Sequence, residues 1–190
     1  MKIKNSKKGF TLVELVVTIA IMSITASMGV GIFVMSLKNY VVASEAATAQ
    51  QNAVALEEMV REYFKIGYDL DYVGNFDVAT DRNETASITY FYAIGDGSTI
   101  CTDYYNADED IHTTLSFNGI SEFSVEYKLV ANSDSSDSAY TMVTYTIVSV
   151  GDYELSGSIV LNNGDILSSE IGVNYLLDTS ATNAIAVLYS

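Results

Sequence analysis

The stretch Lys7-Lys8-Gly9-Phe10-Thr11-Leu12-Val13-Glu14-Leu15-Val16 places one carboxylate inside a long apolar run, directly after a lysine cluster. Glu14 is the only ionisable residue between Phe10 and Leu37. A charge on an otherwise lipid-compatible helix costs roughly 2.5 to 3.5 kcal/mol on insertion scales, so a functional partner for the carboxylate is the default expectation. The apolar run spans about 28 residues, enough to cross a hydrocarbon core of about 30 Å at about 1.5 Å per residue. Lys2, Lys4, Lys7 and Lys8 precede it, which orients the N-terminus towards the cytoplasm and everything after Lys38 to the outside. A Sec signal peptide would have its apolar stretch before the cleavage site; here the apolar stretch follows Gly9.

The helical pattern outlasts the membrane. Val42, Ala46, Ala49, Ala53, Leu56, Val60 and Tyr63 recur at alternating steps of four and three, while Glu45, Gln51, Glu58, Glu62 and Lys65 fall on other faces. The chain contains no proline, and its first stop signal is Gly67. Phe10 to Ile66 therefore reads as one helix, roughly 85 Å long, whose outer half packs a stripe on a domain of its own chain.

Beyond Gly67 the pattern changes. Tyr68 to Glu84 reads as a loop, and period-two runs follow at Ser87–Ile94, Thr99–Tyr105, Thr113–Phe117, Ser121–Val130, Tyr140–Val150 and Tyr153–Leu161. Gly95 to Ser98 predicts a hairpin turn, as do Asn118-Gly119-Ile120 and Asn162 to Asp165. Phe123, Val125, Tyr127 and Leu129 alternate with polar residues, so one face of that strand should cover the helix stripe. Ala184 to Tyr189 is apolar enough for a last strand or a short helix. The expected fold class is α+β: a long N-terminal transmembrane-to-extracellular helix packed against an antiparallel β-sheet.

Charge and inventory exclude several functions. The chain of 190 residues has a formal net charge of −15; nine bases less the four leader lysines leave five against 24 acids, a formal −19 after Gly9. Scattered single bases on so acidic a surface make no stripe for a phosphate backbone, so no direct nucleic-acid binding is expected. Cys101 is the only cysteine and His112 the only histidine, which leaves no nucleophile pair to defend and no intramolecular disulfide. Asp103, Asp108, Glu109 and Asp110 precede one strand, and Asp69, Asp71, Asn75 and Asp77 another. Hard oxygen donors of this kind suit calcium, with Asp103, Asp108 and Asp110 the candidate ligands, but the EF-hand spacing is absent and solvated acidic loops are the plainer account. No other cofactor is expected. Most of the tyrosines fall in the strand runs, as Tyr90, Tyr92, Tyr127 and Tyr145 do, so sheet packing is expected of them rather than ligand stacking.

Lys7-Lys8-Gly9-Phe10-Thr11-Leu12-Val13-Glu14-Leu15 resembles the class III leader of type IV prepilins and pseudopilins. The resemblance implies cleavage between Gly9 and Phe10 by a prepilin peptidase, N-methylation of Phe10, and a register role for Glu14, which is the fifth residue of the mature chain. It implies a leader at 1–9, a transmembrane and filament-core helix at 10–37, its amphipathic extension at 38–66 and a globular β domain at 67–190. The implied partners are the prepilin peptidase, other pilin subunits and an inner-membrane assembly platform. In such a filament the Glu14 carboxylate would meet the N-terminal amine of a neighbour, in surroundings where either charge alone is costly. Gly29 and Gly31 lie where many relatives carry proline; the resemblance suggests local melting there, and two small residues that permit close helix approach in lipid account for them equally well. Absence of a cysteine pair departs from the many pilins whose C-terminal loop is closed by a disulfide. The reading from another class is a membrane-anchored, monomeric binding domain that never polymerises.

Overall fold

The computed structural model describes residues 9–67, 69–77, 80, 88–94, 98–106, 111–131, 139–161, 174–177 and 183–188. Helix α1 runs from Leu12 to Ile66 without a break, Gly29 and Gly31 included. Among the described residues nine strands follow: β1 (Asp69–Val73), β2 (Ile88–Ile94), β3 (Thr99–Asn106), β4 (Ile111–Asn118), β5 (Ile120–Ala131), β6 (Ala139–Ser149), β7 (Glu154–Val160), β8 (Asn174–Leu177) and β9 (Ala184–Leu188). The chain divides into two compact units, Met1–Ser44 and Glu45–Ser190.

In the first unit α1 presents its apolar side chains on every side, as a helix built for a non-aqueous medium does. An 18-residue window reaches a mean hydropathy of 2.1, and by length and composition the helix can cross a membrane. Four of its hydroxyls turn back onto their own backbone. Thr18 donates to the carbonyls of Glu14 and Leu15, Ser23 to Ile19, Thr25 to Ile21 and Met22, and Ser27 to Ser23 and Ile24. A hydroxyl that has found a carbonyl one turn back exposes no unmet polar demand to lipid.

The second unit is an α+β body in which the outer part of α1 packs against antiparallel sheets. The single expected sheet is in fact two: a five-stranded one in the order β1-β9-β2-β3-β4 and a four-stranded one in the order β7-β6-β5-β8. Ala49, Ala53, Leu56, Val60 and Phe64 form the buried stripe of the helix. Phe64 replaces the expected Tyr63 at its end, and Val42, in the first unit, is exposed. The stripe merges with Phe91 and Ile100 of the larger sheet and with Phe123, Val125, Val143, Tyr145 and Ile147 of the smaller one into a single core. Phe91 joins the three layers, with its ring edge-on to Phe64 at 5.8 Å and 6.0 Å from Phe123. Each fully buried side chain of this size contributes about 1.5 to 3 kcal/mol, so the packed stripe holds the sheets to the helix. The expected cover by β5 holds at Phe123 and Val125; the side chains of Tyr127 and Leu129 lie outside the described set.

Two strands fall where none was expected, β1 inside the presumed loop and β8 near the C-terminus. The stretch read as either strand or helix at Ala184 is β9, inserted between β1 and β2 and antiparallel to both. Its Ala184, Ile185, Ala186 and Val187 are all buried, as suits an uninterrupted apolar strand with both faces covered. Asn118-Gly119-Ile120 does not close a hairpin. It carries the chain from β4 at the edge of one sheet to β5 inside the other. The Ser98 carbonyl accepts from the Gly119 and Ile120 amides, and the Gly119 carbonyl accepts from Val150, so the crossing is tied to both sheets. The expected turn at 95–98 does join a paired β2 and β3, although residues 95–97 lie outside the described set, as do those of the turn at 162–165.

Candidate functional site

The head of α1 is where charge, processing signal and membrane helix coincide. Thr11 stands just before the first helical residue, and Glu14 is the third residue of the helix. The Glu14 Oε2 accepts from the Thr11 amide at 2.9 Å and from the Thr11 hydroxyl at 3.0 Å, while the Glu14 amide points at Thr11 Oγ1 at 3.3 Å. The Thr11 carbonyl accepts the first helical bond, from Leu15. This is a capping box: Thr-x-x-Glu satisfies two amides that a helix start leaves without partners. The motif was legible as the spacing Thr11…Glu14, but a reading that treats Glu14 only as a charge seeking a neighbour passes over it. Negative charge also suits the helix N-terminus, where the aligned peptide dipoles are positive. Phe10, immediately before the cap, is 82 % exposed, and a methyl on Gly9 would meet nothing within 4 Å. The Gly9–Phe10 bond thus lies in open chain, outside the hydrogen-bonded helix.

Of the calcium candidates, only Asp103 lies among the described residues. Asp108 and Asp110 lie outside the described residues, as does Glu109. Asp103 is buried on β3, and its carboxylate is engaged across the strand pair: Thr114 donates to Oδ1 at 2.8 Å, and His112 Nδ1 lies 3.2 Å from Oδ2. Asp71 and Asp77 are exposed, and Asn75 sits in a turn with φ of 57°. Among the described residues no three potential metal-ligating side chains gather. Of the tyrosines, Tyr90 and Tyr92 are buried against Phe76, at 4.9 and 5.3 Å between ring centres, and Tyr145 is wholly buried, which places all three in sheet packing.

A second polar cluster ties the helix to the smaller sheet. The Tyr145 hydroxyl donates to Glu57 Oε1 at 2.9 Å, and Arg61 donates to the same oxygen through Nε at 3.0 Å and Nη2 at 2.8 Å. Burial, reinforced by the hydrogen bond to Glu57 and its negative charge, pushes the Tyr145 phenol up to about 12 against the pull of Arg61. The ring lies across Gly157 of β7, where any Cβ would overlap the Tyr145 hydroxyl. The cluster fastens Glu57 and Arg61 of α1 to β6.

Residues 4–30 match the family model described as the prokaryotic N-terminal methylation motif. The chain carries a prepilin-type head. The match spans the stretch from Lys7 to Leu15 on which the likeness to type IV prepilins and pseudopilins was read. No curated protein matches the chain. Two solved structures do: the PilB minor pilin from Streptococcus sanguinis, with a TM-score of 0.36 at 12 % identity over 75 % of this chain, and its D319A mutant, with 0.31 at 11 % over 72 %. The chain spans about a third of their length, 35 % and 33 %. At these values neither fold detail nor role transfers from them.

Proposed function

We propose that this chain is a structural, non-enzymatic subunit of a type IV pilus or of a type II secretion-like pseudopilus. After removal of residues 1–9 and methylation of Phe10, it assembles through the helix of residues 10–37 into a helical filament outside the cytoplasmic membrane, into which residues 38–66 and the β domain at 67–190 project. Its partners in this reading are the prepilin peptidase, other pilin subunits and the inner-membrane assembly platform. The observation that carries the proposal is the methylation motif at the head of a helix whose side chains from Leu12 to Leu37 are exposed along their whole length. Such a surface is stable only in lipid or against other helices, and head-to-tail contacts of one kind repeat into an open filament rather than a ring.

One observation favours the alternative, an anchored extracellular binding domain that never polymerises. Glu14 already has an employment within its own chain, as the acceptor of the Thr11 cap, and needs no neighbour to account for it. Mass spectrometry of the chain recovered from its native membrane separates the readings. A chain beginning at N-methylated Phe10 is expected; an intact Met1 in the assembled form overturns the filament proposal.

A further inference from the structure

We infer that Lys38, at the outer end of the membrane run, docks into a groove on α1 of a second, parallel copy of this chain, where Glu58 receives its ammonium group. The inference rests on the filament reading and names one contact within it. Lys38 is the one base of α1 between Leu12 and Val60, a stretch that carries the acids Glu14, Glu45, Glu57 and Glu58. It is exposed, and the other bases after Gly9 are committed elsewhere: Arg61 pairs with Glu57, Lys128 pairs with Glu126, and Lys65 suits the negative C-terminal end of the helix. Arg82 lies outside the described residues. Among the described residues neither Lys38 nor Glu58 has an ion-pair partner.

The groove has the chemistry a lysine side chain fills. It is an open groove of about 420 Å³, with an apolar lining from Ala47, Val54 and Ala55, an aromatic one from Tyr153, and side-chain oxygens from Gln51 and Glu58. Tyr153 is set there by the turn between β6 and β7: Gly151 and Asp152 take φ of 100° and 62°, and the Tyr153 carbonyl accepts from the Ser149 amide at 2.9 Å. A lysine lays its apolar stem on side chains such as Val54, which is 40 % exposed, and holds its ammonium on a carboxylate, with a tyrosine ring adding to the attraction. Charge favours a second copy as the occupant. Two chains of net charge −15 repel on approach, and a base of one set against an acid of the other offsets that repulsion at the point of contact. Several turns of α1 separate Lys38 from Glu58, so the lysine in the groove belongs to another copy. Copies in one membrane insert the same way up, so their helices run parallel, and the contact needs only a stagger along the helix. It is heterologous: each copy gives its lysine to one neighbour and receives the lysine of another, and the repeat stays open.

The test uses the full-length chain in the cells that express it, measured both in sheared surface filaments and in the membrane. Lys38→Glu and Glu58→Lys should each reach the membrane as the parent does and enter filaments several-fold less. Combined in one chain they should restore incorporation, because the pair re-forms with its signs exchanged, whereas Glu45→Lys combined with Lys38→Glu should not. In filaments of the parent, a carbodiimide, which takes up the water lost as amine and carboxylate condense, should link Lys38 to Glu58 in a joined peptide read by mass spectrometry. A parent chain absent from sheared filaments removes the filament reading and this contact with it. Where the parent assembles, the contact alone is overturned by normal incorporation of Lys38→Glu, by a double variant no better than either single one, or by Lys38 linked to Glu45 or to a different protein.

Discussion

Gly119 lies against Ala49: a methyl group on Gly119 would stand 2.6 Å from the Ala49 Cβ and 3.2 Å from its Cα. The glycine has φ of +79°, and it marks the point where the chain leaves the larger sheet for the smaller one. Helix and crossing approach this closely because each contributes a residue with almost no side chain. Asn52, less than one turn further along the helix, donates to the Asn118 carbonyl at 2.8 Å and fixes the same contact from the polar side.

Gly119→Ala should therefore destabilise the second unit strongly, by about 2 to 4 kcal/mol from left-handed backbone strain and overpacking together. Ala49→Gly in the same chain should recover the overpacking part while leaving the backbone part. Thermal denaturation followed by circular dichroism measures both. A doubly substituted chain no more stable than Gly119→Ala alone would show that the contact with Ala49 does not set the cost.

Tyr145→Phe removes the hydrogen bond to Glu57 while keeping the ring. A hydrogen bond to a charged acceptor contributes about 1.5 to 3 kcal/mol, and that loss is expected at neutral pH. The pH dependence has a definite sign. The phenol ionises near 10 when unfolded and is pushed up to about 12 in the fold, so its contribution is whole below pH 10 and is lost as pH rises from about 10 to 12. Melting temperatures across that window should fall more steeply for the parent chain than for Tyr145→Phe. Parallel curves would remove Tyr145 from the alkaline transition.

Much of this architecture was legible because its signals are local. The lysine cluster, Gly9-Phe10 and the apolar run mark the head; the step of three and four marks the buried helix face as far as Val60; and alternation marks β2 to β7 to within two residues at most ends. The failures share a cause: each depended on a partner far away in sequence. Asp69-Leu70-Asp71-Tyr72-Val73 reads as a loop from its acids, and becomes a strand because β9, over a hundred residues later, pairs with it. Asn118-Gly119-Ile120 carries the chemistry of a reversing turn, and nothing local distinguishes a reversal from a change of sheet. Phe64 displaced Tyr63 from the stripe because a Tyr side chain can stay half-buried with its hydroxyl towards water, whereas Phe64 meets Phe91 inside the core. At the candidate site the motif was visible and the internal use of Glu14 was not, since a carboxylate three residues after a threonine admits both roles.

Asp103 and calcium make separable predictions. Its two carboxylate oxygens serve Thr114 and His112, so Asp103→Ala should lower stability by about 1 to 3 kcal/mol by removing both cross-strand bonds, with or without calcium present. Calcium titration of the parent chain and of Asp103→Ala, read by melting temperature, checks this. A calcium-dependent rise in the parent that disappears in the variant would make Asp103 a ligand and remove it from the sheet's own bonding.

Glu14 offers the sharpest separation, because capping and charge pairing can be removed one at a time. Glutamine keeps a side-chain oxygen for the Thr11 amide and hydroxyl, so Glu14→Gln retains the capping box and loses only the negative charge. Thr11→Ala does the reverse, losing about 1 kcal/mol of helix-start stability while the carboxylate remains. Glu14→Ala removes both. If the carboxylate meets the amine of a neighbouring subunit, Glu14→Gln and Glu14→Ala should both insert in the membrane and both fail to enter filaments, while Thr11→Ala assembles. The readout is the amount of chain in sheared surface filaments against the amount left in the membrane. Normal incorporation of Glu14→Gln together with failure of Thr11→Ala would instead make the helix cap the feature that assembly requires, and the buried charge pair would then have no part in holding the filament together.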